Sequence, residues 1–487
     1  MPALVHRSPL PVRVVLMLQA LSARARRALR AAPPAAFLAL SAACAVSPAS
    51  GPAPAVAEVE PAAQVEQPIA PELAAATFDD VWTTVRDTHF DPTLNGVDWD
   101  AVRDELRPAA AAATTQPELR AVIGDMLERL GQSHFGLLPR SMLPPLDGDE
   151  AEVEAEDDGD LGFDVRSRGG AMLVTRVAPA GPAGAAGVRP GWILARLDGL
   201  DLGARIAEIE DVPDPRARRY ASFTAYQLVA SHMLGPIGSE VECVFEDAGG
   251  RSVELALQRK KREAVADNLG TTLPTFFLHF DSDILERDGK RIGTIHFTNW
   301  FLPMMEPIND AVDRMRGCDG IVLDLRGNTG GVAAMTMGVA GHFFEERTDF
   351  GSMTTQTGVM NFRALPQKVN AKNERVQPFT GPLAILIDDI TGSASEVFAG
   401  GLQSIGRARV FGETSAGAVL PAVTEPLPNG DVLLHAIGDF KTATGELLEG
   451  VGVVPDVSVP LTRETLLADG DPVLEAAVDW ITGPRTN

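Results

Sequence analysis

Gly381-Pro-Leu-Ala-Ile-Leu-Ile-Asp-Asp-Ile-Thr-Gly-Ser393-Ala-Ser-Glu396-Val-Phe-Ala-Gly-Gly-Leu-Gln403 reads as a strand, a polar turn and a helix. The apolar run Leu383 to Ile387 is the strand, and Phe398 and Leu402 are spaced for one helix face. The layout sets the Ser393 hydroxyl at a strand-to-helix junction. Free N–H groups and the positive end of the helix dipole gather at such a junction. A serine there can attack a carbonyl while the backbone stabilises the oxyanion. The plainer reading is an N-cap serine, with Glu396 complementing the dipole.

Outward from this run the chain alternates strand and helix, which predicts an α/β core with parallel pairing. Arg291 to Phe297 and Gly320 to Leu325 read as strands, Met304 to Met315 as a helix, and Arg409 to Gly412 as a strand. Asp324-Leu-Arg-Gly-Asn-Thr-Gly-Gly331 joins a buried strand to a helix. It lacks the Gly-Lys-Ser/Thr of a phosphate loop, and its paired glycines free the backbone to aim N–H groups at a ligand. Pro428-Asn429-Gly430-Asp431 signals a hairpin. Upstream, three helices are predicted in residues 73–145. Their apolar faces carry Phe78, Val81, Trp82 and Val85, then Trp99, Val102 and Leu106, then Leu119, Ile123, Met126 and Leu130. Gly131-Gln-Ser-His134 follows the third. An acidic stretch from Asp147 to Asp160 reads as solvated, and Leu161 to about Gln258 as short strands.

The chain has 487 residues, so two or three domains are expected. A formal charge of −24 and no basic stripe argue against nucleic acid as a partner. The three cysteines, Cys44, Cys243 and Cys318, make neither a disulfide framework nor a zinc spacing. Residues 1–44 read as an export signal: arginines, the apolar Phe37 to Ala43, and then Cys44, which resembles a bacterial lipoprotein acceptor. Residues 45–72, rich in Ala and Pro, read as a tether. The expectation is a periplasmic or lipid-anchored envelope protein of a bacterium.

Two resemblances follow from these residues. Leu161-Gly162-Phe163, the Pro182 to Gly191 turn and Trp192 to Gly199 resemble a PDZ domain, here residues 155–260. That resemblance implies a loop, Leu161, Gly162 and Phe163, whose N–H groups hold a peptide carboxylate while the peptide adds to a sheet edge. The Asp324 to Gly331 loop and the Gly392 to Glu396 turn together resemble the carboxyl-terminal processing peptidases and their tricorn-core relatives. This implies a crotonase-like βα core over residues 270–482, an N-terminal helical cap and an inserted PDZ-like β domain. It also implies that Ser393 is the nucleophile and that the N–H groups of Gly331 and Ala394 form the oxyanion hole. One branch of the family takes its base from a lysine 25 residues beyond the serine; Ala418 stands there, and no lysine lies between Pro382 and Phe440. The tricorn-like branch takes a histidine from the cap. Gly131 to His134 matches it, as does Glu449-Gly-Val-Gly-Val-Val-Pro-Asp456 for its glutamate. His134 is then the base, Glu449 its carboxylate and Ser133 the link between them.

The implied activity is serine-type endopeptidase action on exported polypeptides through an acyl-enzyme, with no metal or organic cofactor. Two other readings stay open at this point. One is a catalytically silent PDZ-type peptide-binding protein of the envelope. The other is a crotonase-type acyl enzyme. Asp388 and Asp389 read as turn residues and Arg326 as a residue that fixes its own loop.

Overall fold

The computed structural model describes residues 68–143, 158–261, 264–267, 276–468 and 470–484. The expected export signal with Cys44, most of the tether and most of the acidic stretch lie outside the described residues. No helix among the described residues is long and apolar enough to cross a membrane.

Three helices come first: α1 (Pro71–Thr88), α2 (Trp99–Ala112) and α3 (Gln116–Glu128). The Asp98 carboxylate caps α2 and a Thr115/Glu118 box caps α3, satisfying N–H groups that each helix start leaves free. The expected apolar faces are buried against one another, and Trp82 and Trp99 each donate an indole N–H to the other's carbonyl. This cluster continues into Leu420, Leu427 and Leu433, far along the chain. Strand β1 (Gly136–Leu138) then pairs antiparallel with a strand from the C-terminal part, Gly136 opposite Leu434. Arg120 adds a two-pronged ion pair to the fully buried Asp431 carboxylate of the predicted hairpin. The segment just before β1, Ser133-His134, is thereby carried onto the far end of the chain.

Residues 158–261 hold an antiparallel sheet in the order β2 (Phe163–Arg168), β3 (Ala171–Val177), β4 (Ile193–Leu197), β5 (Glu240–Glu246), β6 (Ser252–Gln258). The expectation of strands alone is corrected here. Helices α4 (Leu202–Glu210) and α5 (Pro215–Met233) lie between β4 and β5. Asp214 caps α5 and Pro215 opens it, a start signal present in the sequence. Leu202, Ile206, Ala225, Val229 and Met233 close the apolar side of the sheet.

The remaining residues build a six-stranded sheet: β7 (Phe280–Arg287), β8 (Lys290–Phe297), β9 (Gly320–Asp324), β12 (Leu383–Ile387), β13 (Arg409–Gly412) and β17 (Val457–Ser458), in that order. The first pair is antiparallel and the other four are parallel, as the alternation predicted. Both faces are covered, which is why Ile321 to Leu323 and Leu383 to Ile387 are apolar without interruption. Ile321, Leu323, Ile385 and Ile387 face α6 (Met305–Met315), α7 (Ala334–Ala340) and α8 (Ala394–Ser404). Val322, Ala384 and Leu386 face α9 (Pro472–Thr482). Residues 394–402 of α8 are all buried, so Phe398 and Leu402 mark no single face. Hairpin β10 (Thr348–Thr355) and β11 (Gly358–Ala364), which the sequence reading did not foresee, pairs with β16 (Gly438–Thr442); β14 (Ala422–Pro426) and β15 (Val432–Ala436) form the predicted hairpin that receives β1.

Candidate active site

Parallel register sets Asp324 beside Leu386, so the loops leaving β9 and β12 emerge side by side at the carboxyl edge of the sheet. Ligand sites of open α/β sheets form at that edge. The two loops are laced together: Leu325 N–H donates to Leu386 O (2.9 Å), Thr391 Oγ1 to Leu325 O (2.9 Å) and Gly392 N–H to Asn328 O (3.0 Å). Asn328, fully buried, donates from Nδ2 to Phe297 O and accepts from Gly330 N–H, which shapes the glycine pair.

Ser393 has φ 52° and ψ −116°, a strained conformation for a residue with a side chain. Two acceptors hold it, because its N–H is shared between Ala418 O (2.8 Å) and Glu396 Oε2 (3.0 Å). Glu396 does more than complement a dipole. Its carboxylate also accepts from Ala418 N–H, Gly417 N–H and Ser415 Oγ, and so ties residues 415–418 to the serine turn. Burial pushes its carboxyl up to about 7 against those four donors. The N–H groups of Gly331 and Ala394 have no acceptor among the described residues. Gly331 has φ 142°, and a Cβ there would fall 2.5 Å from Trp300 O, so only glycine fits.

On the other side, Ser133 Oγ lies 2.8 Å from His134 Nδ1 and donates to Glu449 Oε2 at 2.9 Å. Glu449 accepts further bonds from Ser133 N–H (2.8 Å) and Val419 N–H (3.1 Å). Burial lowers His134 to about 4 and raises Glu449 above the usual carboxylate range. His134 itself has φ 61°. No hydrogen bond joins His134 Nε2 to Ser393 Oγ among the described residues. The two groups meet through neighbouring residues instead: Ala418 accepts from Ser393, and Val419 donates to Glu449.

The β2 strand reaches the same turn. Arg166 pairs with the buried Asp388 (2.8 Å), which also takes the Gly327 N–H; Arg168 pairs with Asp389 and Glu413. Asp388 and Asp389 are therefore the partners of strand β2 as well as turn residues. Arg326 holds Asp324 and Asp471, as expected for a loop-fixing residue. Of the loop at Leu161, Gly162 and Phe163, the Gly162 N–H is already taken by Asp160 Oδ1 at 3.1 Å, and Phe163 lies paired opposite Val177.

Residues 291–459 match the model of Peptidase family S41, and residues 74–128 that of the Tricorn protease C1 domain. The carboxyl-terminal-processing protease of Picosynechococcus sp. is 25% identical over 414 residues, covering 82% of this chain and 87% of that one. Tricorn protease homolog 1 of Streptomyces coelicolor is 24% identical over 436 residues, 86% of this chain and 35% of that one. The solved photosystem II D1 C-terminal processing protease shares the fold, with TM-score 0.53 and 22% identity over 82% of this chain and 99% of that one. The chain is a serine-type peptidase, with the mixed α/β fold of its class. It carries a Peptidase family S41 domain and a Tricorn protease C1 domain, and carboxyl-terminal-processing proteases are among its relatives.

Proposed function

We propose that the chain is an endopeptidase of exported polypeptides in which Ser393 is the nucleophile and His134 its base. In this reading a crotonase-like core carries a helical cap and an inserted PDZ-like domain. The observation that carries it is the Ser133 bridge. The single hydroxyl proton of Ser133 goes to Glu449, so its lone pair accepts from His134 Nδ1–H. That fixes the tautomer and leaves Nε2 free to accept a proton. With its pKa lowered to about 4, the imidazole is neutral at pH 7, the form that accepts a proton.

Substrate binding would draw Ser393 Oγ and His134 Nε2 into hydrogen-bond reach, a tightening common to sites without bound substrate. Ser393 Oγ attacks the peptide carbonyl carbon as its proton passes to Nε2. The carbonyl oxygen becomes an oxyanion facing the N–H groups of Gly331 and Ala394. The C–N bond then breaks, Nε2–H protonates the leaving amine, and an acyl-Ser393 ester remains. Water, deprotonated by Nε2, hydrolyses the ester and restores the hydroxyl. Ala418 at the position of the other branch's lysine agrees with a histidine base.

Turnover of an unfolded protein substrate by wild type, Ser393→Ala and His134→Ala tests this reading. Both variants are expected to fall to background, and a fluorophosphonate probe is expected to label Ser393 stoichiometrically. Wild-type turnover by either variant would overturn the mechanism. A chain that binds peptides but shows neither turnover nor labelling would be the silent peptide-holding protein instead.

A further inference from the structure

Glu449 has a fourth donor, and it comes from the inserted domain. Arg216 Nη2 lies 3.3 Å from Glu449 Oε1, on the oxygen that also takes the Ser133 N–H. Arg216 sits in the first turn of α5, and its guanidinium rests on Gly450. A Cβ at Gly450 would meet Arg216 Nη1 at 2.9 Å and Cζ at 3.0 Å, so the glycine leaves the seat open. One turn on, Arg219 Nη2 donates to Gly450 O at 2.9 Å. The spacing of three puts both arginines on one face of α5. The same helix is rooted in the domain core through Ala225, Val229 and Met233.

We propose that Arg216, seated by Arg219, is a positioning residue for the Glu449 carboxylate, so that the inserted domain supplies the outermost member of the base relay. The inference rests on the reading of Glu449 given above. Its physical ground is the state of that carboxylate. Protonated, Glu449 would donate to Ser133 rather than accept, and the His134 tautomer would lose its support. Burial favours its protonation, and further carboxylates stand around it. Asp91 beyond α1 and Asp439 on β16 line the same open cavity of about 480 Å³, and Glu396 lies behind Gly417 and Ala418. His134, reached through Ser133, is neutral near pH 7. Arg216 and Arg219 are the cations on this loop, and Arg216 opposes the effect of burial on Glu449.

The test uses the full chain with Arg216→Ala, Arg216→Gln, Arg216→Lys and Glu449→Gln, measuring kcat and KM on a fluorogenic peptide from pH 5 to 9. Arg216 is half exposed, so its pairing is modest. Arg216→Ala and Arg216→Gln are expected to lower kcat about two- to fivefold on the acid limb, with KM kept. The limb moves to higher pH, because loss of the cation raises the pKa of Glu449; Arg216→Lys restores it. A loss equal at every pH, a change in KM alone, or no change in Arg216→Ala overturns the inference while an impaired Glu449→Gln leaves the relay standing. Full activity in Glu449→Gln overturns the relay itself, and the inference with it.

Discussion

The two halves of the proposed site, a nucleophile half around Ser393 and a base half around His134, are built in opposite ways. Around Ser393 the support is largely backbone: N–H and carbonyl groups of residues 325–331, 386–396 and 415–418 bond to one another and to the wholly buried Glu396. Around His134 the support is a short chain of side chains brought from distant segments. Ser133 follows the three N-terminal helices, Glu449 stands on a late loop and Arg216 on α5. The first half is rigid because many bonds over-determine it, which is what allows Ser393 to keep an unfavourable φ. The second half depends on a few side-chain contacts between segments far apart in the sequence.

The difference can be broken most severely at the β2 seam of the nucleophile half. Arg166→Ala leaves the buried Asp388 charge uncompensated and is expected to cost about 3–5 kcal/mol of stability, read by denaturant unfolding. A loss under 1 kcal/mol would show that water relieves this carboxylate. Next, Gly331→Ala forces a Cβ against Trp300 O and displaces the proposed oxyanion donor. Its kcat is expected to drop about 10²–10³-fold in a peptide assay with the circular dichroism spectrum retained. Retained turnover would remove Gly331 from the oxyanion hole.

The base half predicts smaller effects. Ser133→Ala cuts the bridge from His134 to Glu449 and is expected to lower kcat about tenfold to a hundredfold, a part of what a general base contributes. Acid should also act here through stability. His134 is held neutral, with its folded pKa at about 4 against an ordinary 6.5. The unfolded chain therefore binds the proton first. The stability this confers is fully present above pH 6.5 and is lost as pH falls toward 4. His296, His342 and His435 are shifted the same way by burial, so Tm should be lower at pH 5 than at pH 7.5. A Tm that rises on acidification would contradict this assignment of neutral buried imidazoles.

Much of the nucleophile half was legible because its information is local. The strand Leu383–Ile387 matches its apolar run residue for residue, and the serine turn follows within six positions. Less of the base half was legible. The motif around His134 was visible only by resemblance, since nothing in a lone histidine says what it faces. The helix Pro215–Met233 is announced by Asp214-Pro215, but the strand patterns on either side of it mask the signal. Arg216 had no sequence signal at all, as its partner lies 233 positions away.

The sequence by itself determined the parallel α/β core, the strand-to-helix turn at Ser393 and the glycines that free the backbone at Gly331, because apolar period and φ preference act over a few residues. The resemblance named Ser133, His134 and Glu449, and only the tertiary structure brought them together and added Arg216. Gly136 pairs with Leu434 through strand hydrogen bonds, and Arg166 with Asp388 and Arg216 with Glu449 through charge, between segments that no local pattern connects.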